Sequence, residues 1–452
     1  MASSWNQHIP EHLWCSIFIL LPVKCLLLLR SVCKSWNQVI SDHSFIESHL
    51  AHNKASSNPN KYLLLWNQRD PNPALDHDFP YLTTLVDSKT YSHVLESHAH
   101  DMRSMFGKDS AEHGLENYGI CDGLVCLSLP QKVLKADSPI FLWNPVVKKG
   151  KKLPPIENEE KRPYVDTCYL CFGYHGGDYK VINVVPYLNT LYHVYVYSLS
   201  TDQWKKSRIA KNNIGSIFYG EYTIRPFPAR LVNGCAYFLQ YPKKNGIDQV
   251  VAVFDLRHEI MRQIDLPDAD GYLFVKLEEY CEKTVAVMGK SLGSYMVMWV
   301  LRTGNDHSVS WDKKFTIEAE NSSSHFSDMG FISMGKLVLK RFVKRKPFLA
   351  KYFLYDVENE SELEYTAPMG LSDVVKNRAS PRINGLTESL VLLNETTTPA
   401  CTKMQPGSSY PYKKPRTQDY MFSTCSVSFY NYSVYTLCFI SDLDPSFYIW
   451  LC

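Results

Sequence analysis

The stretch DGLVCLSLPQKVLKADSPIFLWN, residues 122–144, carries the unit from which the fold is read. A glycine opens a short apolar run, and 21 positions later a polar residue closes a second one. Short runs rich in Val, Leu, Tyr and Phe, bounded by Gly, Asn and Asp, are strand signals. The unit returns three times with the same internal spacing. Gly177 precedes DYKVINVV and Ser198 follows HVYVY; Asn233-Gly234 leads CAYFL and Asp255 follows VAVF; Gly335 precedes KLVLK and Asp356 follows YFLY.

The four glycines lie 54, 57 and 101 residues apart, so the last gap holds two periods of about 50. KTVAVMG followed by SYMVMWVL supplies the hidden module. A sixth start appears at Asn384-Gly385, leading SLVLLN, but its second half is missing. YLLLWN at 62–67 fits that gap, and its Trp66-Asn67 echoes Trp143-Asn144. Repeats of this length are expected to form a ring of six modules over 61–394, closed by the N-terminal strand, as in a kelch-like propeller. Closure also removes exposed sheet edges. Ordinary hairpins in a sandwich or solenoid are the alternative.

Upstream, residues 8–50 read as helices. Pro10 suits a first helical turn. Leu13, Ile17 and Leu21 recur at helical spacing with Trp14 and Phe18 alongside, and Pro22 stops that helix. A short segment follows at 23–29, then a helical pattern carrying Val32, Cys33, Trp36, Val39 and Ile40. Ser41-Asp42-His43-Ser44 is a break with capping residues, after which Phe45, Ile46 and Leu50 begin a last turn or two. Some forty residues cannot enclose so many large apolar side chains. Leu20, Leu21 and Leu26 to Leu29 cannot all face inward. The surplus is either a partner surface or a face packed on the rest of the chain.

Composition narrows the function. The 48 basic and 46 acidic residues give a net charge of +2, too small an excess for a general nucleic-acid or anionic-membrane binder. Hydrophobic residues at 45% and charged residues at 21% are globular values. The 13 cysteines are odd in number and scattered, which points to reduced thiols and a cytoplasmic or nuclear setting. The apolar run 17–29 is too short for a membrane span, and Pro22 and Lys24 interrupt it. It also lacks the basic start and cleavage site of a signal peptide. The sequons at Asn321, Asn394 and Asn431 are then chance matches.

The run IPEHLWCSIFILLPVKCLLLLRSVCKSWNQVISDHSFIESHL resembles a plant F-box, on Ile9-Pro10-Glu11, Leu21-Pro22-Val23-Lys24 and Val32-Cys33-Lys34-Ser35-Trp36. Trp14-Cys15-Ser16 departs from the family's more usual aliphatic and acidic residues. DGLVCL, LWNPVVKKGKKLPP, CFGYHGGDYKV, VYVYSLSTDQWKK and VAVFDL resemble, in order, the plant F-box-associated domain. DSPIFLWNPVVKKGKKLPP and ESLVLLN look most like pollen S-locus F-box proteins, while other relatives act in turnover of immune receptors. The fold class expected is mainly β with an N-terminal α segment: a three-helix F-box at 8–50, then a kelch-like six-bladed propeller at 61–394. The resemblance implies a non-catalytic substrate-recognition subunit of an SCF-type ubiquitin ligase, in which the helices bind a SKP-type adaptor and the propeller binds an unknown target. It assigns adaptor binding, or the packing behind it, to Ile9, Pro10, Leu13, Ile17, Leu21, Pro22, Leu26, Val32, Cys33 and Trp36. No cofactor or metal site is expected. A propeller enzyme or glycan-binding module with a helical cap is the alternative.

Several short motifs have residue types that can carry chemistry. Gly289-Lys290-Ser291-Leu292-Gly293 fits a nucleophile elbow, but an elbow needs a helix after it, and SYMVMWV reads as a strand, so a hairpin turn is expected. Cys168 and Cys171 are one C-x-x-C with no second pair to complete a zinc site, and three-residue spacing in a strand sends them to opposite faces. His93, His98, His100 and His113 read as a solvated loop. Lys148, Lys149, Lys151 and Lys152 around Gly150, and Arg341, Lys344, Arg345 and Lys346, read as basic turns. Trp143, Tyr197, Trp204, Phe254, Trp299 and Tyr355 recur once per module as packing between blades. Inserts 68–114, 156–167, 186–193 and 205–228 are the candidate target-binding loops. Residues 395–452 leave the repeat: a disordered linker, then an aromatic end that is a translated intron, an added strand pair or a membrane-seeking segment.

Overall fold

A computed structural model describes residues 11–56, most of 115–394, and the strands at 62–66, 83–87, 93–97, 428–432 and 435–439. The chain divides into two compact units, Met1–Cys401 and Thr402–Cys452.

The first unit begins with four helices, not three: α1 (Glu11–Phe18), α2 (Val23–Leu29), α3 (Lys34–Ser41) and α4 (His43–Ala55). Extended Pro22 separates the first two. The Asp42 carboxylate accepts hydrogen bonds from the N–H groups of Ser44 at 2.9 Å and Phe45 at 3.3 Å, capping α4 as the break at 41–44 predicts. Helix α4 is 13 residues long, well beyond the expected turn or two. Its buried face of Phe45, Ile46 and His49 extends the apolar pattern, and its cap is strong enough to start it.

Five self-contained blades follow, each an antiparallel sheet of consecutive strands. The first is β4 (Glu116–Cys121), β5 (Leu124–Ser128), β6 (Phe141–Asn144) and β7 (Lys149–Lys152). The second is β8 (Tyr169–His175), β9 (Asp178–Tyr187), β10 (Leu191–Ser198) and β11 (Gln203–Ser207). The third holds β12 (Tyr222–Thr223), β13 (Arg230–Val232), β14 (Cys235–Pro242), β15 (Val250–Asp255) and β16 (Ile260–Asp265). The fourth is β17 (Tyr272–Tyr280), β18 (Thr284–Ser291), β19 (Tyr295–Thr303) and β20 (Val309–Glu318). The fifth is β21 (Ser324–Ser333), β22 (Lys336–Val343), β23 (Lys346–Asp356) and β24 (Ser361–Glu364).

The 21-residue spacing now has a cause. Asp122-Gly123, Gly176-Gly177 and Asn233-Gly234 each place two successive residues at positive φ, the two-residue turn that suits a twisted hairpin. The polar residue 21 positions on ends the third strand at the same edge of the sheet. In the third and fifth blades the residue after it donates its N–H back to the glycine, Leu256 to Gly234 O at 2.9 Å and Val357 to Gly335 O at 2.7 Å, while in the second Leu199 donates to Tyr179 O at 3.0 Å. Asn144, Asp255 and Asp356 then turn the chain into the fourth strand, each side-chain oxygen accepting from the N–H groups two and three residues on. In the second blade, Asp178 accepts from Ser200 N–H instead.

The sixth expected module is not built like the others. Asn384-Gly385 is not a turn; it lies inside β25 (Arg382–Leu386), opposite Leu64 and Leu63 of β1 (Tyr62–Trp66). The N-terminal strand does pair with the C-terminal one, and β2 (Thr83–Asp87) and β3 (His93–Ser97) complete a composite sheet in the order β25-β1-β2-β3. SLVLLN is not a strand. Residues 387–390 are irregular and 391–394 form a turn, with Leu392 inserted between the first two blades. Their backbone is bonded to Asn144 rather than to a sheet neighbour.

The lysines around Gly150 also differ from expectation. Lys149, Lys151 and Lys152 form the outer strand β7, because β6 otherwise has an unpaired edge; Lys148 sits in the turn at φ 55. Of the recurrent aromatics, Tyr197, Phe254 and Tyr355 are buried in layers between neighbouring blades, and Trp204 and Trp299 pack against such layers. Trp143 is likewise buried, at 1% exposure. The second unit contains one described hairpin, β26 (Ser428–Tyr432) with β27 (Tyr435–Phe439), so the aromatic end includes a strand pair.

Candidate functional site: an apolar helical face and its clamp

The leucine surplus divides as chain geometry requires. Phe18, Leu21, Val23, Leu26, Leu29, Trp36 and Ile40 are buried. Trp14 stacks on Phe18 at 5.6 Å and meets Trp36 at 5.0 Å, so the departure from the family pattern at 14 becomes part of the core. Leu13, Leu20, Leu28 and Val32 are 41–58% exposed. Six large hydrophobic residues are exposed among the described residues, and these four fall within twenty positions. Such clustering is what a partner surface requires.

The ten residues assigned to adaptor binding therefore separate. Leu13, Val32 and Cys33 are exposed; Ile17 and Pro22 are half-buried; Leu21, Leu26 and Trp36 belong to the core; Ile9 and Pro10 lie outside the described residues. Leu20 and Leu28 join the exposed set, although the family motif gave them no role. A separate groove of about 650 Å³ is lined from α1, α3 and the start of α4 by Cys15, Ile19, Val39 and Phe45 together with polar Ser16, Gln38, Asp42, Ser44 and Ser48.

The same helices also touch the propeller through polar contacts. The backbone N–H of Val23 donates to Glu388 Oε1 at 2.7 Å. Asn53 Nδ2 donates to Glu388 O at 3.0 Å, and Asn394 Nδ2 to Ser41 O at 2.7 Å. Lys54 pairs with Asp122 at 2.9 Å. Behind this contact, Asn144 Nδ2 donates to Ser389 O at 3.0 Å and Val391 O at 2.9 Å, tying 389–394 to the first blade. Sequence reasoning found Asn144 as a repeat residue and missed Glu388, whose only visible signal was a carboxylate leading an otherwise apolar run.

A cavity of about 470 Å³ is lined by the innermost strands β4, β8, β13, β17, β21 and β25. Asp122, His175, Asn233 and Gly335 line it together with Lys54, so the first hairpin turns of the blades gather at the end that faces α4. Inside it, Arg230 and Lys276 both pair with Glu278, and all three side chains are at most 13% exposed. Burial acts to raise the Glu278 pKa, but Arg230 and Lys276 overcome it and hold the carboxyl at about 2.

Among the described residues the remaining motifs carry no converging chemistry. Gly289, Lys290 and Ser291 belong to strand β18 and the next described element is strand β19, so no helix follows the serine. Cys168 and Cys171 lie in different inter-blade cores, and burial pushes both thiols well up. Among the described residues no group of three or more His, Cys, Asp or Glu side chains is placed to hold a metal. The side chains of the histidine cluster, of the 341–346 basic cluster and of most of the four candidate inserts lie outside the described residues.

Comparison with known proteins accords with this architecture. The chain matches the F-box domain over residues 7–48 and the F-box associated beta propeller domain over 77–377. It is 26% identical over 337 residues to the F-box protein At3g07870 of Arabidopsis thaliana, spanning 69% of this chain and 73% of that protein. It is 24% identical over 351 residues to the F-box protein CPR1 of Arabidopsis thaliana, spanning 71% and 76%. Among solved structures, TolB from Acinetobacter baumannii aligns over 67% of this chain and 68% of its own at 11% identity and a TM-score of 0.35, too low to carry an argument. The propeller match alone spans more than half of the chain, and helices and blades stand in the matching order. The chain belongs to the plant F-box proteins that carry an F-box associated β-propeller domain.

Proposed function

We propose that the chain is the substrate-recognition subunit of an SCF-type cullin–RING ubiquitin ligase. Its helices dock on a SKP-type adaptor and its propeller presents a target protein. The observation that carries this reading is the exposed set Leu13, Leu20, Leu28 and Val32 on the helices and connecting turns of an F-box. In this role the protein needs no active site. It raises the effective concentration of a target lysine near the charged conjugating enzyme.

The target would meet the end of the propeller away from the helices. In an antiparallel blade the first and third turns share one end, and the first turns lie at α4. The connections 67–82, 98–115, 153–168, 208–221 and 365–381 join strands at the other end, and they are the long ones. We read the composite β25-β1-β2-β3 sheet as a sixth, closing blade and the modules as kelch-like. The cytoplasm or nucleus is the setting this role needs. Within it, a pollen S-locus role and a defence role are separated by tissue of expression.

The test is co-purification of the full chain with a plant SKP-type adaptor. A stoichiometric complex lost on substituting Leu13 and Leu28 by Asp supports the reading. An adaptor that elutes separately from the folded chain overturns it and returns attention to the cavity lined by Arg230, Lys276 and Glu278 as an enzymatic or glycan-binding site.

A further inference from the structure

The Leu21-Pro22-Val23 corner is held by a closed circuit of hydrogen bonds that passes through the segment following the last strand of the propeller. His49 Nε2 lies 2.9 Å from Leu21 O. A carbonyl only accepts, so Nε2 carries the proton and Nδ1 is an acceptor. Asn53 Nδ2 lies 3.3 Å from that Nδ1 and donates also to Glu388 O at 3.0 Å. The two acceptors fix the Asn53 amide with its nitrogen between them. The Glu388 carboxylate then returns to the corner, accepting from Val23 N–H at 2.7 Å. His49 is 0% exposed and Glu388 3%.

Val23 N–H is an orphan donor at the start of α2, where no earlier turn can supply a carbonyl. Its acceptor comes from 365 positions away. Glu388 is fixed in turn from the propeller side: Tyr62 OH on β1 reaches the same Oε1 at 3.4 Å, and Asn144 holds the carbonyls of Ser389 and Val391. A Cβ on Gly123 would lie 2.6 Å from Thr387 O and from Ser389 Cβ, so the first blade approaches this segment as closely as a glycine permits.

We propose that Glu388 is a positioning residue for the adaptor-binding face, and that segment 387–394 is a clamp that sets the direction of the F-box helices relative to the propeller. The corner it grips leads directly into α2 and lies between Leu20 and Leu28 in sequence, two of the exposed leucines. Loosening the clamp turns the adaptor, and everything attached to it, relative to the target.

The experiment uses the full chain as wild type, Glu388→Ala and Glu388→Gln, the last keeping an acceptor oxygen. Hydrogen exchange is read at Val23 and through α2, with Leu64 and Leu386 on the β1–β25 pairing as internal reference. The expected result is exchange at Val23 at least about tenfold faster in Glu388→Ala, near wild type in Glu388→Gln, and unchanged on β1–β25. Equal exchange at Val23 in all three proteins, or faster exchange that spreads equally to β1–β25, overturns the clamp. A second arm rests on the receptor reading: in the assembled ligase, the lysines that become ubiquitylated on the chain itself are mapped by mass spectrometry. The set should broaden in Glu388→Ala and be restored in Glu388→Gln. An identical set in all three overturns the positioning role. Failure of the wild type to bind adaptor sinks the receptor reading instead, and the exchange arm still decides the clamp.

Discussion

Arg230 on β13 and Glu278 on β17 form an ion pair across the boundary between the third and fourth blades, inside the cavity that the inner strands surround. Lys276 engages the same carboxylate. Removing the carboxylate would leave two cations buried together. Glu278→Ala should therefore cost roughly 3–5 kcal/mol of stability in urea titrations.

The same group predicts a pH dependence. Its folded pKa of about 2 lies below the ordinary 4.5, so its contribution is complete above pH 4.5 and is lost as pH falls toward 2. The difference in urea midpoint between wild type and Glu278→Gln should be constant above pH 5 and shrink steadily below 4.5. A difference that stays constant down to pH 2.5 would sink this account.

Two turn glycines should respond differently to alanine. Gly234 has φ 76, and a Cβ there would lie 2.5 Å from the His175 ring. Gly176 has φ 62 and open space around it. Gly176→Ala should cost about 1–2 kcal/mol, the price of a left-handed backbone, and Gly234→Ala clearly more. Thermal melts of the two variants side by side check the order.

Asn144 bridges its own turn and the clamp, donating from Nδ2 and accepting at Oδ1. Asn144→Asp keeps the turn acceptor but sets a carboxylate oxygen against the carbonyls of Ser389 and Val391. It should cost at least about 2 kcal/mol. It should also speed exchange at Val23, which a defect confined to the β6–β7 turn would not do.

Core and surface leucines of the helices should separate cleanly. Leu26 is 0% exposed, and Leu26→Ala should cost about 2–5 kcal/mol. Leu13→Asp and Leu28→Asp, at 45% and 41% exposure, should shift stability by under about 0.5 kcal/mol. The same two should reduce adaptor affinity at least about tenfold. Calorimetric titration of adaptor into each variant makes the comparison.

Much of this architecture is legible in the chain because hairpins are local. The Asn233-Gly234 turn and the Asp255 turn are set by residues within one blade, and their spacing survives as a repeat. The helix break at Asp42 is legible for the same reason. What is missed is long-range. Asn384-Gly385 has the composition of a turn and lies in a strand, because β1 offers it a partner more than 300 positions away. SLVLLN has the composition of a strand and forms turns, because Asn144 takes its carbonyls and an inter-blade core takes Leu392. The family motif likewise marks Leu21 and Trp36 together with Leu13 and Val32, since it records what the helices need without separating packing from contact.

The pairing of β1 with β25 has a consequence for synthesis. A ribosome extends the chain at about 5–20 residues per second, so Glu388 follows Val23 by roughly 20–70 s. Throughout that interval the nascent chain carries an apolar corner without its acceptor and a β1 paired with β2 alone. The helices emerge hundreds of residues ahead of the one that orients them. A message cut short before codon 382 would yield the helices with five complete blades and no means of aiming them.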